Sequence, residues 1–427
     1  MKRIATALTG CLCVFFASAQ LETQNQKNIS NITPPSPEAA SLGKYVEIPV
    51  GYYTGTPEIS LPLAQVKQGG LSVPVSISYH GSGIRVEEFA NWTGIGWTLN
   101  AGGAVTRVIR GLPDDKSDQQ SFLTLAAQHS YEYLIGGPTQ GQDPRATILR
   151  EIYKGCADAE PDLFMFNFNG YTGKIMFGWD GQLKVSCTKP VKVQDIRGTE
   201  NYANRIIGWD ITTEDGTLYK FRDVEKSLAR FNNSSSSGCP NTIGANSSWF
   251  ITEIADVNGE NKIFFEYEDY TQTLHHKNST TIKHSHLNAA GILTATASVN
   301  TYYGKRVKKI TTSSGITTVE FIPGALRTDL DGLYQPNNPS ENSNIRSLNR
   351  VVVKDNAGVE RGGYDFNYDY SSGRLTLKSL TENYNGLSKP PHEFSYEPGT
   401  LPSISSTAQD HWGFYNEAVN TNLVPGS

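Results

Sequence analysis

From Asp162 onward the chain repeats one local pattern: an alternating run, a turn built from Asp, Asn and Gly, and a second run that closes on aromatic residues. Phe164, Phe166 and Phe168 share one side of such a run, Asn169-Gly170 turns, and Ile175, Phe177 and Trp179 return before Asp180-Gly181 turns again. Trp209, Ile211 and Thr213 lead to Asp215-Gly216, and Thr217, Tyr219 and Phe221 come back. The unit recurs in Trp249 to Tyr267 and Leu348 to Tyr368, and more loosely in Arg374 to Tyr396. Glycine after Asn or Asp supplies the positive φ of a tight hairpin turn, and strict alternation sends every second side chain to one face. A lone hairpin of this kind cannot bury its aromatic face, so neighbours must stack. The expected fold class is all-β: mainly antiparallel stacked β-hairpins in a degenerate repeat of about 20 residues, spanning 162–427.

Ahead of this array stands Asn91 to Arg110, NWTGIGWTLNAGGAVTRVIR. Trp92 and Trp97 alternate with Gly94, Gly96, Gly102 and Gly103, a combination that permits positive φ and close backbone approach around two large apolar rings. The spacing does not bind nucleotide phosphates. Leu99 stands where a dinucleotide fingerprint needs its third glycine, no Gly-Lys-Ser/Thr follows, and the β-branched run after Ala104 disfavours a helix. The stretch is therefore expected to be a structural corner that leads into a strand over Ala104 to Arg110. Upstream, Val73, Val75, Ile77 and Tyr79 alternate with Pro74, Ser76, Ser78 and His80, which places His80 on the polar face of a half-buried strand. These segments form an N-terminal β module over 42–113.

Residues 114–161 change character. Ser121 to Ile135 and Ala146 to Lys154 carry helix formers and stop at Gly136-Gly137 and Gly155, so a small helical insertion is expected between the β module and the array. At the other end, residues 1–19 read as a secretory signal: Lys2 and Arg3, an apolar run from Ile4 to Phe16, and Ala17-Ser18-Ala19 as cleavage site. A lipobox reading of Leu8-Thr9-Gly10-Cys11 would acylate Cys11, but leaves a short apolar region before it. Residues 20–41, rich in Asn, Gln, Ser and Pro, read as a flexible linker.

No later segment holds the roughly 18 uncharged apolar residues of a membrane helix, so no membrane span is expected. A net charge of −5 without a basic cluster points away from a nucleic-acid partner. Removing the signal takes Cys11 and Cys13 and leaves Cys156, Cys187 and Cys239, which permit at most one internal disulfide and show no metal-binding spacing.

The corner motif resembles the signature of the N-terminal region of secreted bacterial RHS/YD-repeat proteins of the Bacteroidetes type, and more distantly the SpvB-type N-terminal domain of insecticidal toxin complexes. Further matches to that pattern are Pro37 to Tyr45, Tyr53 to Pro57, Ile77 to His80, Arg110-Gly111-Leu112-Pro113-Asp114, Glu160 to Phe164, Phe168 to Lys174, Thr213 to Thr217 and Asp410-His411-Trp412-Gly413-Phe414-Tyr415-Asn416. The resemblance covers about residues 35–420. It implies the leading module of a YD-repeat shell, which in the family precedes long repeat arrays that often enclose a variable C-terminal toxin. It implies as partner a downstream RHS/YD-repeat or toxin polypeptide, and it brings no catalytic residue onto this chain.

Asp365, Asn367 and Asp369 alternate with Tyr364, Phe366, Tyr368 and Tyr370, so three polar side chains line one face about 7 Å apart and could hold a glycan or a cation. His275, His276, His284 and His286 form the histidine cluster, set in a segment (Lys277 to Thr281, Lys283) that reads as a polar loop. Asp256 to Glu260 has Phe265 where a calcium loop needs its glutamate and reads as a hairpin turn; Asp329 and Asp331 invite the same caution. His80 beside Gly81-Ser82-Gly83 lacks a nucleophile elbow and reads as a surface histidine. Ser234 to Ser237 read as a loop tip. The 42 Asp and Glu residues carry no spacing that selects a catalytic pair. No catalytic set, cofactor motif or metal site emerges, and the expected role is non-enzymatic: an exported or cell-surface structural module. A glycan-binding adhesion module and a hydrolase on a β scaffold stand as alternatives.

Overall fold

The computed structural model describes residues 58–116, 121–136, 144–198, 205–231, 242–285, 288–330, 344–404, 406–418 and 420. The signal, the linker, Ser234 to Ser237, Cys239, His286 and Asp331 lie outside the described residues, as do the side chains of His275, His276 and His284.

Two sheets carry the chain. The smaller is a meander of β1 (Glu58–Gln68), β2 (Leu71–His80) and β3 (Trp97–Ala101). The larger has 16 strands among the described residues. It begins with β4 (Gly103–Val108), β5 (Leu163–Phe168), β6 (Tyr171–Phe177), β7 (Leu183–Cys187), β8 (Val191–Arg197) and β9 (Ile206–Thr213). It continues with β10 (Leu218–Phe231), β11 (Thr242–Ala255), β12 (Lys262–Ser285), β13 (Asn288–Thr312) and β14 (Thr318–Leu326). It ends with β15 (Arg346–Lys354), β16 (Glu360–Asp369), β17 (Thr376–Tyr384), β18 (Leu387–Ser388) and β19 (His392–Glu393). All the pairings are antiparallel, as hairpin connections require. In space β4 lies between β5 and β11, so it joins β5, β6 and β7 to the rest of the sheet.

The predicted turns form where the glycines stand. Asn169 and Gly170 take φ of 43° and 79° between β5 and β6, and Gly216 takes 82° between β9 and β10. The Trp249 to Tyr267 unit is the β11–β12 hairpin, with Ile254 opposite Ile263; the Leu348 to Tyr368 unit is β15–β16. Alternation reads out as burial in β2, where Leu71, Val73, Val75 and Ile77 turn inward and His80 outward. The inner faces of the two sheets then share one apolar core. Leu63, Val66, Val73 and Ile77 meet Phe164, Phe166, Phe168, Trp209 and Trp249 in it. Trp209 packs edge-on against Trp249 at 5.8 Å between ring centroids, and Phe164 touches both.

Three expectations change. The Lys277 to Thr281 segment, with Lys283, is no loop: its backbone continues β12, paired to β13 from Ile263↔Thr312 out to Ser285↔Asn288. The two strands, 24 and 25 residues long, pair along this length, and the ladder with β13 gives the polar segment its extended backbone. The helix expected over Ser121 to Ile135 breaks into α1 (Phe122–Gln128) and α2 (Tyr131–Ile135). Ser130 between them takes an extended conformation and its hydroxyl accepts from Tyr133 N, starting a second helix in place of prolonging the first. α3 (Pro144–Lys154) ends at Gly155, φ 81°, as expected. Third, the strand after the corner stops at Val108 and belongs to the larger sheet, not to the meander that precedes it. Among the described residues no helix is long and apolar enough to cross a membrane.

Phe166 has no exposed surface, and its ring lies over Gly173 on the facing strand, where an added Cβ would fall 2.3 Å from it. Phe166→Ala should lower the unfolding free energy by about 3–5 kcal/mol. Val257→Ala, at a turn where the residue is 71% exposed, should stay within about 0.5 kcal/mol, both read from urea midpoints.

Candidate functional site

The corner is the point on which the second half of the array converges. Asn91 closes it: its amide accepts from Thr93 N at 2.9 Å and donates to Trp97 O, and Thr93 Oγ1 reaches the same carbonyl at 3.0 Å. Trp92 is buried, 6.4 Å from Phe321 of β14, with the Arg306 guanidinium of β13 over its indole at 5.5 Å. Its carbonyl accepts from Leu348 N of β15 at 2.8 Å. Ile95 N donates to Leu375 O, just before β17, at 2.8 Å. Trp97 Nε1 donates to Tyr396 Oη at 2.8 Å, and its ring lies 4.7 Å from Phe394.

The glycines make these approaches possible. At Gly94, φ 103°, an added Cβ would lie 3.1 Å from Leu377 N. At Gly96, φ 75°, it would lie 2.6 Å from the Tyr79 ring; at Gly102, φ 102°, 2.7 Å from Phe265; at Gly103, 2.4 Å from Asn167 O. Asp329, the described half of the acidic pair that could suggest a calcium loop, belongs to the same knot. It takes Arg327 on both carboxylate oxygens at 3.0 and 2.8 Å and accepts from Leu375 N at 2.9 Å, while Arg327 donates to Ala90 O at 2.7 Å.

A second polar cluster lies beneath the helical insertion. Arg107, on β4, has no exposed side-chain surface. Its Nη1 lies 2.8 Å from Asp115 and its Nη2 2.6 Å from Asp162, and the guanidinium rests 5.2 Å from the centre of the Phe164 ring. The two ends of the insertion are laced together through backbone amides. Asp114 N donates to Asp162 Oδ2 at 3.0 Å, and Asp162 N returns to the Asp114 carboxylate at 3.0 and 3.1 Å. Asp158 accepts from Leu112 N at 3.0 Å and Glu160 N at 2.9 Å, lying over Gly111, φ 82°. Three buried aspartates, Asp114, Asp115 and Asp162, thus surround one buried cation, and Asp158 lies beside them on backbone amides. Burial, with Asp162 beside it, pushes the Asp114 carboxyl well above the ordinary range. Burial pushes Asp158 up to about 7. At Asp115 burial works the same way, but Arg107 and the Ile206 amide outweigh it and hold the carboxylate ionised.

The polar ladder is in place on β16 but its carboxylates are engaged. Asp365 pairs with Arg350 Nε at 2.5 Å and accepts from Asn383 Nδ2 at 2.7 Å; Asp369 accepts from Ser371 Oγ at 2.9 Å and lies 3.7 Å from Lys378 Nζ. Asn367 is exposed between them. Ser82 Oγ stands 2.6 Å from His80 Nε2, a contact the sequence does not announce, with both residues exposed. Asp256 sits at the β11–β12 turn, accepting from Glu260 N and Asn261 Nδ2. Cys187 is free and Cys156 is disulfide-bonded. Among the described residues no group of three or more His, Cys, Asp or Glu is arranged to hold a metal ion.

No family model and no curated protein matches the sequence. Solved structures do. The Photorhabdus luminescens Tc holotoxin pore superposes over 80% of this chain at 13% identity and TM-score 0.41. The TcdB2-TccC3 structure covers 82% at 12% identity and TM-score 0.35, and the N-terminal domain of the Salmonella typhimurium effector SpvB covers 76% at 12% identity and TM-score 0.33. The chain spans 16% and 17% of the two toxin-complex chains and 98% of the SpvB domain.

Gly96→Ala combines strain at positive φ with a clash against Tyr79 and should cost about 2–5 kcal/mol in thermal or urea unfolding. Gly170→Ala, at φ 79° with open space around it, should cost about 1–2 kcal/mol from strain alone. The Asp158 carboxyl is raised from 3.8 to about 7 in the folded state, so the folded protein holds a proton that the unfolded chain releases. Its contribution is full below the unfolded value and is lost as pH rises through about 7. Unfolding free energy should therefore fall between about pH 4 and pH 7 by up to about 4 kcal/mol and level off above that, and Asp158→Asn should flatten that slope.

Proposed function

We propose that this chain is a non-enzymatic, exported structural module that forms the leading part of an RHS/YD-repeat shell and joins a downstream repeat-bearing or toxin-bearing polypeptide through the open end of its larger sheet. The observation that carries the reading is the state of β17. Beyond β16, among the described residues, it is covered by short segments: β19 pairs at Ser379 and Leu380 and β18 at Asn383 and Tyr384, with Phe394 N donating to Lys378 O and Lys389 N to Glu382 O. Tyr384 and Leu387 stand 59% and 76% exposed beside them. The sheet therefore ends, among the described residues, on two short segments with exposed side chains, and an array of hairpins extends by adding strands at such an end.

The distribution of polar chemistry supports a structural role. The neighbouring Asp114 and Asp162, each bonded to the other's backbone amide, have no exposed surface, so no substrate reaches them. The ladder carboxylates are neutralised by Arg350 and Lys378. The exposed Ser82–His80 pair has no shelter from water, which a serine nucleophile needs. Export is supported by the charged and apolar leader at Met1 to Ala19 and by a disulfide at Cys156, a bond favoured in oxidising compartments.

The test is the native mass of the protein recovered from its own cells, with co-purifying chains identified. The expected result is a large assembly with a repeat-bearing or toxin-bearing partner, lost in the Tyr384→Lys, Leu387→Lys double variant at unchanged melting temperature. A monomer, or an assembly indifferent to those substitutions, overturns docking through this edge.

A further inference from the structure

Where the β1–β2 hairpin crosses the turns of the larger sheet it leaves an open cavity of about 310 Å³. Gln65 and Ser72 face it from the hairpin, Asn169 from the β5–β6 turn, and Asp215 and Thr217 from the β9–β10 turn. Tyr219 lies at the bottom, its ring 4.5 Å from Phe168 and only 4% of the residue exposed. Leu71 and Pro74 supply an apolar wall.

These polar groups are held in fixed directions by bonds among themselves, and each bond leaves capacity unused. Asn169, at φ 43°, donates from Nδ2 to Tyr219 Oη at 3.0 Å, which leaves the tyrosine hydrogen to donate and Asn169 Oδ1 to accept. Asp215 Oδ1 accepts from Thr213 Oγ1 at 2.6 Å and Thr217 N at 3.1 Å; these bonds, the Thr213 hydroxyl first, hold the carboxylate ionised and leave Oδ2 to accept. Gln65 Nε2 donates to Ser72 Oγ at 2.9 Å, leaving the Gln65 carbonyl oxygen and the Ser72 hydrogen.

The chemistry of the set selects its ligand. No Lys, Arg or His lines the cavity among the described residues, so a phosphate or carboxylate would find no counter-charge. A metal ion would find a single carboxylate. Two amide oxygens and one carboxylate that accept, two hydroxyls that donate, and an aliphatic wall match a ring bearing several hydroxyls on one edge and C–H groups on its face. The volume lies at the lower end of the roughly 300–1,000 Å³ typical of small-molecule sites, room for one such ring with water.

We propose that this cavity binds a neutral sugar residue, with Asp215, Asn169 and Gln65 accepting from its hydroxyls and Tyr219 and Ser72 donating to them. The site is separate from the Asp365–Asp369 face and stands whether or not the chain assembles into a shell. Saturation-transfer difference NMR on the full exported chain, with glucose, galactose, mannose and N-acetylglucosamine as probes, tests it. At least one probe should give a saturable signal. Asp215→Asn, which keeps the turn's acceptor but removes the charge, should weaken it about tenfold, as should Gln65→Ala on the exposed rim. Asp365→Asn should leave it unchanged. Absence of signal from all four sugars, or a signal undiminished in both cavity variants, overturns the assignment.

Discussion

A full positive charge with no exposed surface sits on the strand that holds the larger sheet together. Arg107 lies on β4, and β4 is where β5, β6 and β7 meet β11 and everything beyond it. Removing a guanidinium from water is costly unless its partners are in place, so Asp115 and Asp162 must be delivered to it as the sheet forms. A one-residue slip of β4 would turn Arg107 to the opposite face and strand both aspartates in the interior. The ion pairs therefore act less as added stability than as a condition on register, and the Phe164, Phe166 and Phe168 face packs only when that condition is met.

The corner imposes a matching condition on the other half. β15 and the residue before β17 approach the backbone between Trp92 and Ile95 closely enough that Trp92 O accepts from Leu348 N and Ile95 N donates to Leu375 O, while Phe321 of β14 packs on the Trp92 ring. Such contacts tolerate no side chain at Gly94 and depend on Arg327 reaching Ala90 from a segment more than two hundred residues away in sequence. Both halves of the larger sheet are thus pinned to one continuous run, Asn91 to Arg110, which enters from the small meander.

Much of this is legible in the sequence, and the reasons are local. Phe164, Phe166 and Phe168 followed by Asn169-Gly170 encode strand, face and turn within seven residues, and the hairpin forms as read. The Trp92 to Gly103 pattern declares a close-packed corner without naming the strands that pack on it. Less can be read where the determinant is distant. Asp114 and Asp162 gain their meaning only from each other, 48 residues apart, and the local hint is a charged Arg107 set in an otherwise apolar run. The β12–β13 ribbon hides because its Lys, Asn, Ser and Thr residues look like loop, while the pairing that makes it a strand lies in the partner. Ser130 ends one helix by starting another, a competition that composition alone does not resolve. The sugar cavity is invisible in sequence because its lining comes from separate hairpins far apart in the chain.

The lacing of Asp114 to Asp162 has a consequence for the segment between them. Because each residue's amide is bonded to the other's carboxylate, the chain leaves the sheet and returns to it at one neck, whose closure does not depend on what the intervening residues do. The entropy of closing such a loop grows only slowly with its length. α1 is anchored in the main core by Phe122, but α2 and α3 pack through Leu134 and Ile148 in a small cluster of their own, so a longer or shorter segment in their place can hang from the same neck while β4 and β5 keep their pairing.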